Sequence, residues 1–386
     1  MTGSDGSGAP PVREGGDPHG PADARRSLLP PGWREQALAQ QEEVLPAGRV
    51  VVTCGVPYGK GGLGRHLAEI CEALERAGRP GTYLAEDNRR ERPARRPALL
   101  ERLTRRPPAE RILRARTKFD EYAARNLPEA DALMAFNRQA LAQFGRAGEL
   151  GYRDRMLVTG SPHVMRVARQ HGLSFEQEPI EPSFGTAVEE RYLREYELAD
   201  AIYVASHYTL ESFVEGGVER ERLRLFPLTP DPRFTPGPAT RDTFDVVYVG
   251  SLSVAKGTSL LVRAFRALSA PDLRLRLVGN TKSPPMRHWL EREIAADPRI
   301  TVGPGDPLPV YRAAGLCVHP TWEDGFAYAP AEALACGVPV AVSADTGMRE
   351  LIRPGVSGVV LPTGDASAIT AAIEAAYRGE LVVAER

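Results

Sequence analysis

Pro320-Thr-Trp-Glu-Asp-Gly-Phe-Ala-Tyr-Ala-Pro-Ala-Glu-Ala-Leu-Ala-Cys-Gly-Val-Pro-Val340 follows a strand-like run, Gly315-Leu-Cys-Val-His319, and sets two acidic groups around a helix start. Asp324 precedes a loop opened by Gly325. Pro330 suits a first helical turn, where its missing N–H costs nothing, and Glu332 sits just inside the helix. Free backbone N–H groups at a helix start attract anions. Carboxylates beside them accept hydrogen bonds from hydroxyls. Amides for a phosphate and carboxylates for sugar hydroxyls suit a nucleotide-sugar. Alone, the stretch also reads as an ordinary helix N-terminus with acidic residues near its positive end.

Outward from this stretch, short apolar runs alternate with helical ones. Val246-Val-Tyr-Val249, Leu273–Val278, Ile300–Val302, Leu316–His319, Val338–Val342 and Val359–Leu361 read as strands. Helices are expected over Thr258–Leu268, Met286–Ala295, the stretch containing Glu332, and Ala366–Tyr377. An earlier series has the same character. Its strands are Val50–Thr53, Gly81–Ala85, Ala132–Ala135, Met156–Val158, Ala201–Ala205 and Leu223–Phe226, with a helix over Leu63–Ala77. Strands separated by helices imply parallel βαβ units, so the class is α/β. Between the series, Pro227-Leu-Thr-Pro-Asp-Pro-Arg-Phe-Thr-Pro-Gly-Pro238 blocks any long helix or central strand and reads as a linker. The expected division is a disordered tail over 1–46 (with a short helix conceivable at Trp33–Glu43), a Rossmann-like domain over 47–226, the linker over 227–238, and a second Rossmann-like domain over 239–386.

The 386 residues suit two domains better than one. A formal net charge of −1 gives no global attraction to nucleic acid. No run of eighteen apolar residues is present, and Met1–Gly20 lacks the apolar core of a secretory signal, so a cytoplasmic protein is expected. Cys54, Cys71, Cys317 and Cys336 form no Cys-x-x-Cys pair and read as reduced, buried thiols. The seven histidines show no ligand spacing, so no metal is expected.

Gly59-Lys-Gly-Gly-Leu-Gly64 fits G-x-G-x-x-G. It follows a strand and opens a helix, and Glu86 and Asp87 stand where a ribose ligand of NAD would belong. An NAD-dependent oxidoreductase is therefore an alternative. Against it, Cys54–Tyr58 separate the strand from the first glycine, and the second half carries nucleotide-type features of its own.

Asp324-x7-Glu332, with Ala333, Ala335 and Gly337 behind it, resembles the acidic-x7-Glu signature of retaining glycosyltransferases of family 4, the group 1 transferases. Gly61-Gly-Leu-Gly-Arg-His66 and Val249-Gly-Ser-Leu-Ser-Val-Ala-Lys-Gly257 resemble that family's glycine loop and phosphate-binding segment. The resemblance covers roughly Arg49–Tyr377. It implies a GT-B fold, with two Rossmann-like domains facing each other across a cleft, the acceptor on the first and the donor on the second. It also implies a metal-independent, cofactor-free hexosyltransferase. His163, Lys256 and Asp324 are the expected catalytic residues. Gly61, Gly62, Gly64, Ser251, Lys256, Asp324, Gly325, Phe326, Ala327 and Glu332 are expected around the donor. His163, in Thr159-Gly-Ser-Pro-His-Val164, would stabilise charge at the anomeric carbon, with His66 as second candidate and His319 beside the donor pocket. Gly279-Asn-Thr281 is a weaker candidate for the base and ribose surroundings.

Three departures from the family pattern stand out. Aspartate replaces the usual first glutamate, with Glu323 just before it. Ser251 replaces an arginine of the usual Arg/Lys clamp, leaving more charge to Lys256, with Arg65 or another cation. The chain stops at Arg386, where relatives usually continue into a helix crossing back to the first domain, so looser docking is expected. These departures keep a non-catalytic nucleotide-sugar-binding subunit open as an alternative. The partners expected are a nucleoside-diphosphate sugar and an acceptor that is a carbohydrate, lipid-linked or a small molecule. Arg89–Lys118 carries twelve basic and three acidic residues. It reads either as an amphipathic surface touching an acidic acceptor or anionic lipid, a peripheral contact at the inner membrane face, or as a solvated insertion broken by prolines, and the solvated insertion fits slightly better.

Overall fold

The computed structural model describes residues 25–79, 81–85, 108–181, 187–238, 242–281 and 283–381. The first lobe holds β1 (Val50–Cys54), β2 (Thr82–Ala85), β3 (Ala132–Phe136), β4 (Asp154–Val158), β5 (Ala201–Val204) and β6 (Leu223–Leu225). These pair in parallel in the order β2-β1-β3-β4-β5-β6. The second holds β7 (Phe244–Val249), β8 (Leu273–Val278), β9 (Ile300–Gly303), β10 (Ala314–His319), β11 (Val340–Ser343) and β12 (Gly358–Leu361), ordered β12-β11-β10-β7-β8-β9. Counted within its own lobe, the second order is the 3-2-1-4-5-6 of a doubly wound sheet. β1, β3, β5, β10 and β11 are buried along their whole length, which is why they read as unbroken apolar runs.

Helices cover both sheets. In the first lobe they are α1 (Trp33–Glu43), α2 (Gly61–Arg76), α3 (Pro108–Arg125), α4 (Leu141–Glu149), α5 (Val164–Gln177), α6 (Ala187–Leu198) and α7 (His207–Glu215). In the second they are α8 (Thr258–Arg266), α9 (Pro284–Ala296), α10 (Pro307–Ala313), α11 (Tyr328–Ala335) and α12 (Ala366–Tyr377). In doubly wound sheets a crevice forms where the strand order reverses. Here those points lie between β1 and β3 and between β10 and β7, and the residues just past these strands face each other across one cavity.

Residues 25–46 correct the expectation of a disordered tail. Arg25 donates to Ala314 O at 2.8 Å, and Leu28 N donates to Leu334 O at 2.8 Å, both on the second lobe. α1 then packs on the first lobe, where Gln41 donates to Glu69 and to Pro227 O. Trp33 stacks over Phe326. Leu28, Leu29, Trp33, Val44 and Leu45 add to a core cluster that draws on both lobes, and this burial offsets the entropy of ordering the segment.

Residues 227–238 form no helix or strand but are packed, with Leu228, Thr229 and Phe234 buried. On the far side of the cavity the lobes meet again. There Ser206 Oγ and Thr209 Oγ1 donate to Gly325 O, at 2.6 and 3.1 Å. Among the described residues, no helix is long and apolar enough to cross a membrane. The basic segment falls largely outside the described residues, as do Glu86 and Asp87.

Candidate functional site

The second-lobe wall of the cavity is made by the segments just past β7 and β10. Gly257 has φ 71°, and a Cβ there would stand 1.9 Å from Pro320 O, so only glycine permits this approach. The approach carries Lys256 onto the end of β10. Its ammonium donates to Asp324 Oδ2 at 2.9 Å and to Glu323 O at 2.8 Å. Burial alone would disfavour both charges. The Lys256 ammonium, with His319 at 3.6 Å, nevertheless holds the Asp324 carboxyl well below the usual range. Against the same burial, Asp324 and Glu323 push the Lys256 ammonium up. The pair is ionised across the neutral range, with side chains 27 % and 21 % exposed.

Of the adjacent carboxylates, Asp324 faces the cavity and Glu323 does not. Glu323 is buried beneath Lys256 and bonded to His171 Nε2 of α5 at 3.2 Å. Behind Asp324, the His319 ring stacks nearly parallel on Tyr248, whose hydroxyl donates to Ser251 O. Ser251, which stands where the family pattern has an arginine, lines the wall as expected. α11 opens at Tyr328 with no side chain capping its first amides, and Phe326, Ala327, Tyr328 and Ala329 line the cavity there. Glu332, one turn in, is bonded on both oxygens, to Arg65 at 2.5 Å and to Tyr311 Oη at 3.2 Å. Burial pushes its carboxyl up, although these partners oppose the shift.

The first-lobe wall comes from the turn after β1 and the loop after β3. Gly59, Gly61 and Gly62 face the cavity, whereas Gly64 is buried behind them. A Cβ on Gly64 would lie 2.2 Å from Pro57 O, so this glycine closes the turn. Gly325 likewise serves an approach between lobes, because a Cβ there would meet Gly160 O at 2.3 Å. His66 lines the cavity between Phe136 and Phe226, and burial lowers its pKa to about 3, which leaves the ring neutral. The cavity encloses about 570 Å³.

His163 is a correction. Its ring lies against Tyr196 and Phe213, its Nδ1 accepts from Met165 N at the start of α5, and it does not line the cavity. The end of β4 does face the cleft, but Gly160 and Ser161 line it. The chain turns before residue 163, so the imidazole caps the following helix. Of the other expected residues, Gly61, Gly62, Ser251, Lys256, Asp324, Phe326, Ala327 and Glu332 are brought together around the cavity. Arg116, Asn137 and Arg138 also line it and were not expected. Nothing in their local sequence marks them, apart from Asn137 and Arg138 following an apolar strand. All four cysteines are free and buried.

Residues 243–378 match the family model described as glycosyl transferases group 1. Over nearly the whole chain the likeness is one of structure. Sucrose-phosphate synthase from Thermosynechococcus elongatus superposes with a TM-score of 0.64 at 21% identity, covering 86% of this chain and 91% of that one. Anabaena Alr3699/HepE, solved in complex with UDP-glucose, gives 0.58 at 15% identity, over 87% and 93%. The fold is GT-B. Among curated proteins, the D-inositol 3-phosphate glycosyltransferase of Geodermatophilus obscurus is 29% identical over 270 residues, 62% of this chain and 59% of that protein. That of Thermobispora bispora is 33% identical over 135 residues, 31% and 32% respectively. The chain thus matches less than two thirds of the length of these relatives. In this GT-B chain, the group 1 match falls on the lobe that supplies Lys256, Asp324 and Glu332.

Proposed function

We propose that this chain is a retaining glycosyltransferase that moves a sugar from a nucleoside-diphosphate sugar to an acceptor hydroxyl. The observation that carries the reading is the convergence of Lys256, Asp324 and Glu332, beside the uncapped amides of α11, on an inter-lobe cavity at the switch points of both sheets. Glu332 accepts from the ribose, and Asp324 from hydroxyls of the transferring sugar. Lys256 and the α11 amides meet the diphosphate charge as a preorganised field. The acceptor hydroxyl enters from the first lobe and attacks the anomeric carbon on the face the diphosphate leaves. As the C1–O bond to phosphate breaks, its electron pair goes to the diphosphate oxygen, which also receives the acceptor proton. Charge neutralisation by these groups needs no metal. Closure of the lobes over the bound donor would exclude water that otherwise hydrolyses it.

The test is a thermal-unfolding screen against UDP-, GDP- and ADP-sugars and NAD(H), followed by a transfer assay with the stabilising donor. A ligand at about 100 Kd stabilises by about 2.7 kcal/mol. Stabilisation by one class of nucleotide-sugar, with transfer, supports the reading. Stabilisation by NAD(H) alone overturns it in favour of the oxidoreductase. Donor binding without transfer or hydrolysis marks a non-catalytic subunit.

A further inference from the structure

The charges lining the cavity are divided unevenly between the lobes. Both lining carboxylates, Asp324 and Glu332, come from the second lobe, and each already has a cation, Lys256 and Arg65. Among the described residues, the first lobe contributes Arg65, Arg116 and Arg138 and no carboxylate. Arg138 stands out among these. It follows β3, at the switch point of its sheet, and its guanidinium lies over the Tyr192 ring with Nε donating to the Tyr192 hydroxyl. Among the described residues no carboxylate lies within ion-pair distance of that guanidinium, and Glu323 acts on it only from farther away.

The backbone at Arg138 is also unusual. Its φ of 71° is a left-handed conformation that costs an arginine free energy and persists only when its surroundings impose it. Glu195 imposes it by accepting from the N–H groups of Arg138 and Ala140, while Arg191 donates to Arg138 O. Glu195 and Arg191 thus fix the backbone of Arg138, and Tyr192 its guanidinium, on the first-lobe wall of the cavity. On the same wall, Arg116 is fixed by Gly55 O and Gln139 Oε1. The half-buried Arg138 guanidinium, with no carboxylate at ion-pair distance among the described residues, favours binding of an oxyanion, and arginine offers a planar fork for one.

We infer that Arg138, with Arg116 beside it, binds an oxyanion carried by the acceptor, a phosphate monoester or a carboxylate, on the first-lobe side of the cavity. This rests on the nucleotide-sugar reading for the second lobe, where Lys256 serves the donor diphosphate. An acceptor so anchored would present its hydroxyl toward Asp324.

The test is calorimetric titration of the full chain with inorganic phosphate and with acetate, each at saturating UDP, together with titration by UDP alone. Arg138→Asn removes the charge while asparagine tolerates the left-handed backbone, and Arg138→Lys keeps a charge without the fork. The expected result is that the wild type binds phosphate or acetate with UDP already in place. Arg138→Asn should weaken that binding at least about ten-fold, and Arg138→Lys by less, with UDP affinity unchanged within about two-fold. Oxyanion binding that is absent in the wild type, or equal in Arg138→Asn, overturns the inference. Loss of UDP affinity in Arg138→Asn also overturns it, by assigning the arginine to the donor diphosphate. If UDP does not bind the wild type at all, only the second-lobe reading fails. Phosphate binding lost in Arg138→Asn and kept in Lys256→Ala would then still support an oxyanion site on the first lobe.

Discussion

Arg65 of α2 and Glu332 of α11 form an ion pair across the cleft, 2.5 Å between Nη1 and Oε1, with side chains only 19% and 9% exposed. Arg65 also donates to Thr229 O in the connecting segment and lies over the Tyr328 ring, so it touches both lobes and the link between them. Removing either partner leaves a half-buried charge without its counterion. In urea unfolding, the cycle of Arg65→Met, Glu332→Gln and the double variant should give a coupling of about 1–3 kcal/mol. Strict additivity would mean that the pair does not tie the lobes.

In the proposed reading Lys256 serves the leaving diphosphate and Glu332 the ribose. Lys256→Ala and Glu332→Ala should each lower kcat/KM for transfer at least about ten-fold, or about 1.4 kcal/mol of transition-state stabilisation. Normal steady-state kinetics in both variants would sink the site assignment.

How much of this could be read beforehand differs between the lobes, for physical reasons. Val246–Val249 and Leu316–His319 are strands buried on both faces, so they appear in the sequence as plain apolar runs. Lys256 meets Asp324 because Gly257 and Pro320 touch, and a Lys-Gly pair before a helix marks that approach locally. Arg138 has no such mark, since what fixes it comes from Tyr192, Glu195 and Arg191 on a distant helix. α1 hides for another reason. Its buried residues are only Ala37 and Gln41, too few to write an apolar stripe. The Gly-, Pro- and Ser-rich composition of the first twenty residues gives no hint of the packed segment that follows them. For His163, a strand end facing the cleft could be inferred, but the turn at Gly160–Ser161 that swings the next side chain away could not.

His163 consequently has a structural prediction attached to it. The ring is 2% exposed, packed on Tyr196 and Phe213, and caps α5. His163→Leu should lower unfolding free energy by about 1–2 kcal/mol through lost capping and altered packing. Its kcat should change by less than about three-fold at a temperature where the variant is folded. A larger fall in kcat with unchanged stability would return the histidine to the chemistry.

Glu69 makes stability depend on pH. It is 7% exposed on α2, where Oε2 accepts from Thr229 N at 2.9 Å and from Gln41, and Oε1 accepts from Tyr328 Oη at 2.7 Å. Burial raises its pKa from 4.5 to about 7, although these hydrogen bonds and Arg65 pull the other way. Between those values the folded chain holds a proton that the unfolded chain has released. The stabilisation associated with that proton is therefore complete below about pH 4.5 and is lost as pH rises toward 7. Glutamine reproduces the protonated group, keeping an oxygen for Thr229 and presenting an amide to Tyr328. Relative to Glu69→Gln, the wild type should lose up to about 3 kcal/mol between pH 4.5 and 7 and no more above pH 8. Urea titrations of both proteins across that range measure the difference directly. A gap that does not vary with pH would mean the carboxyl titrates near its ordinary value, with the connecting segment and α11 holding a permanent charge between them.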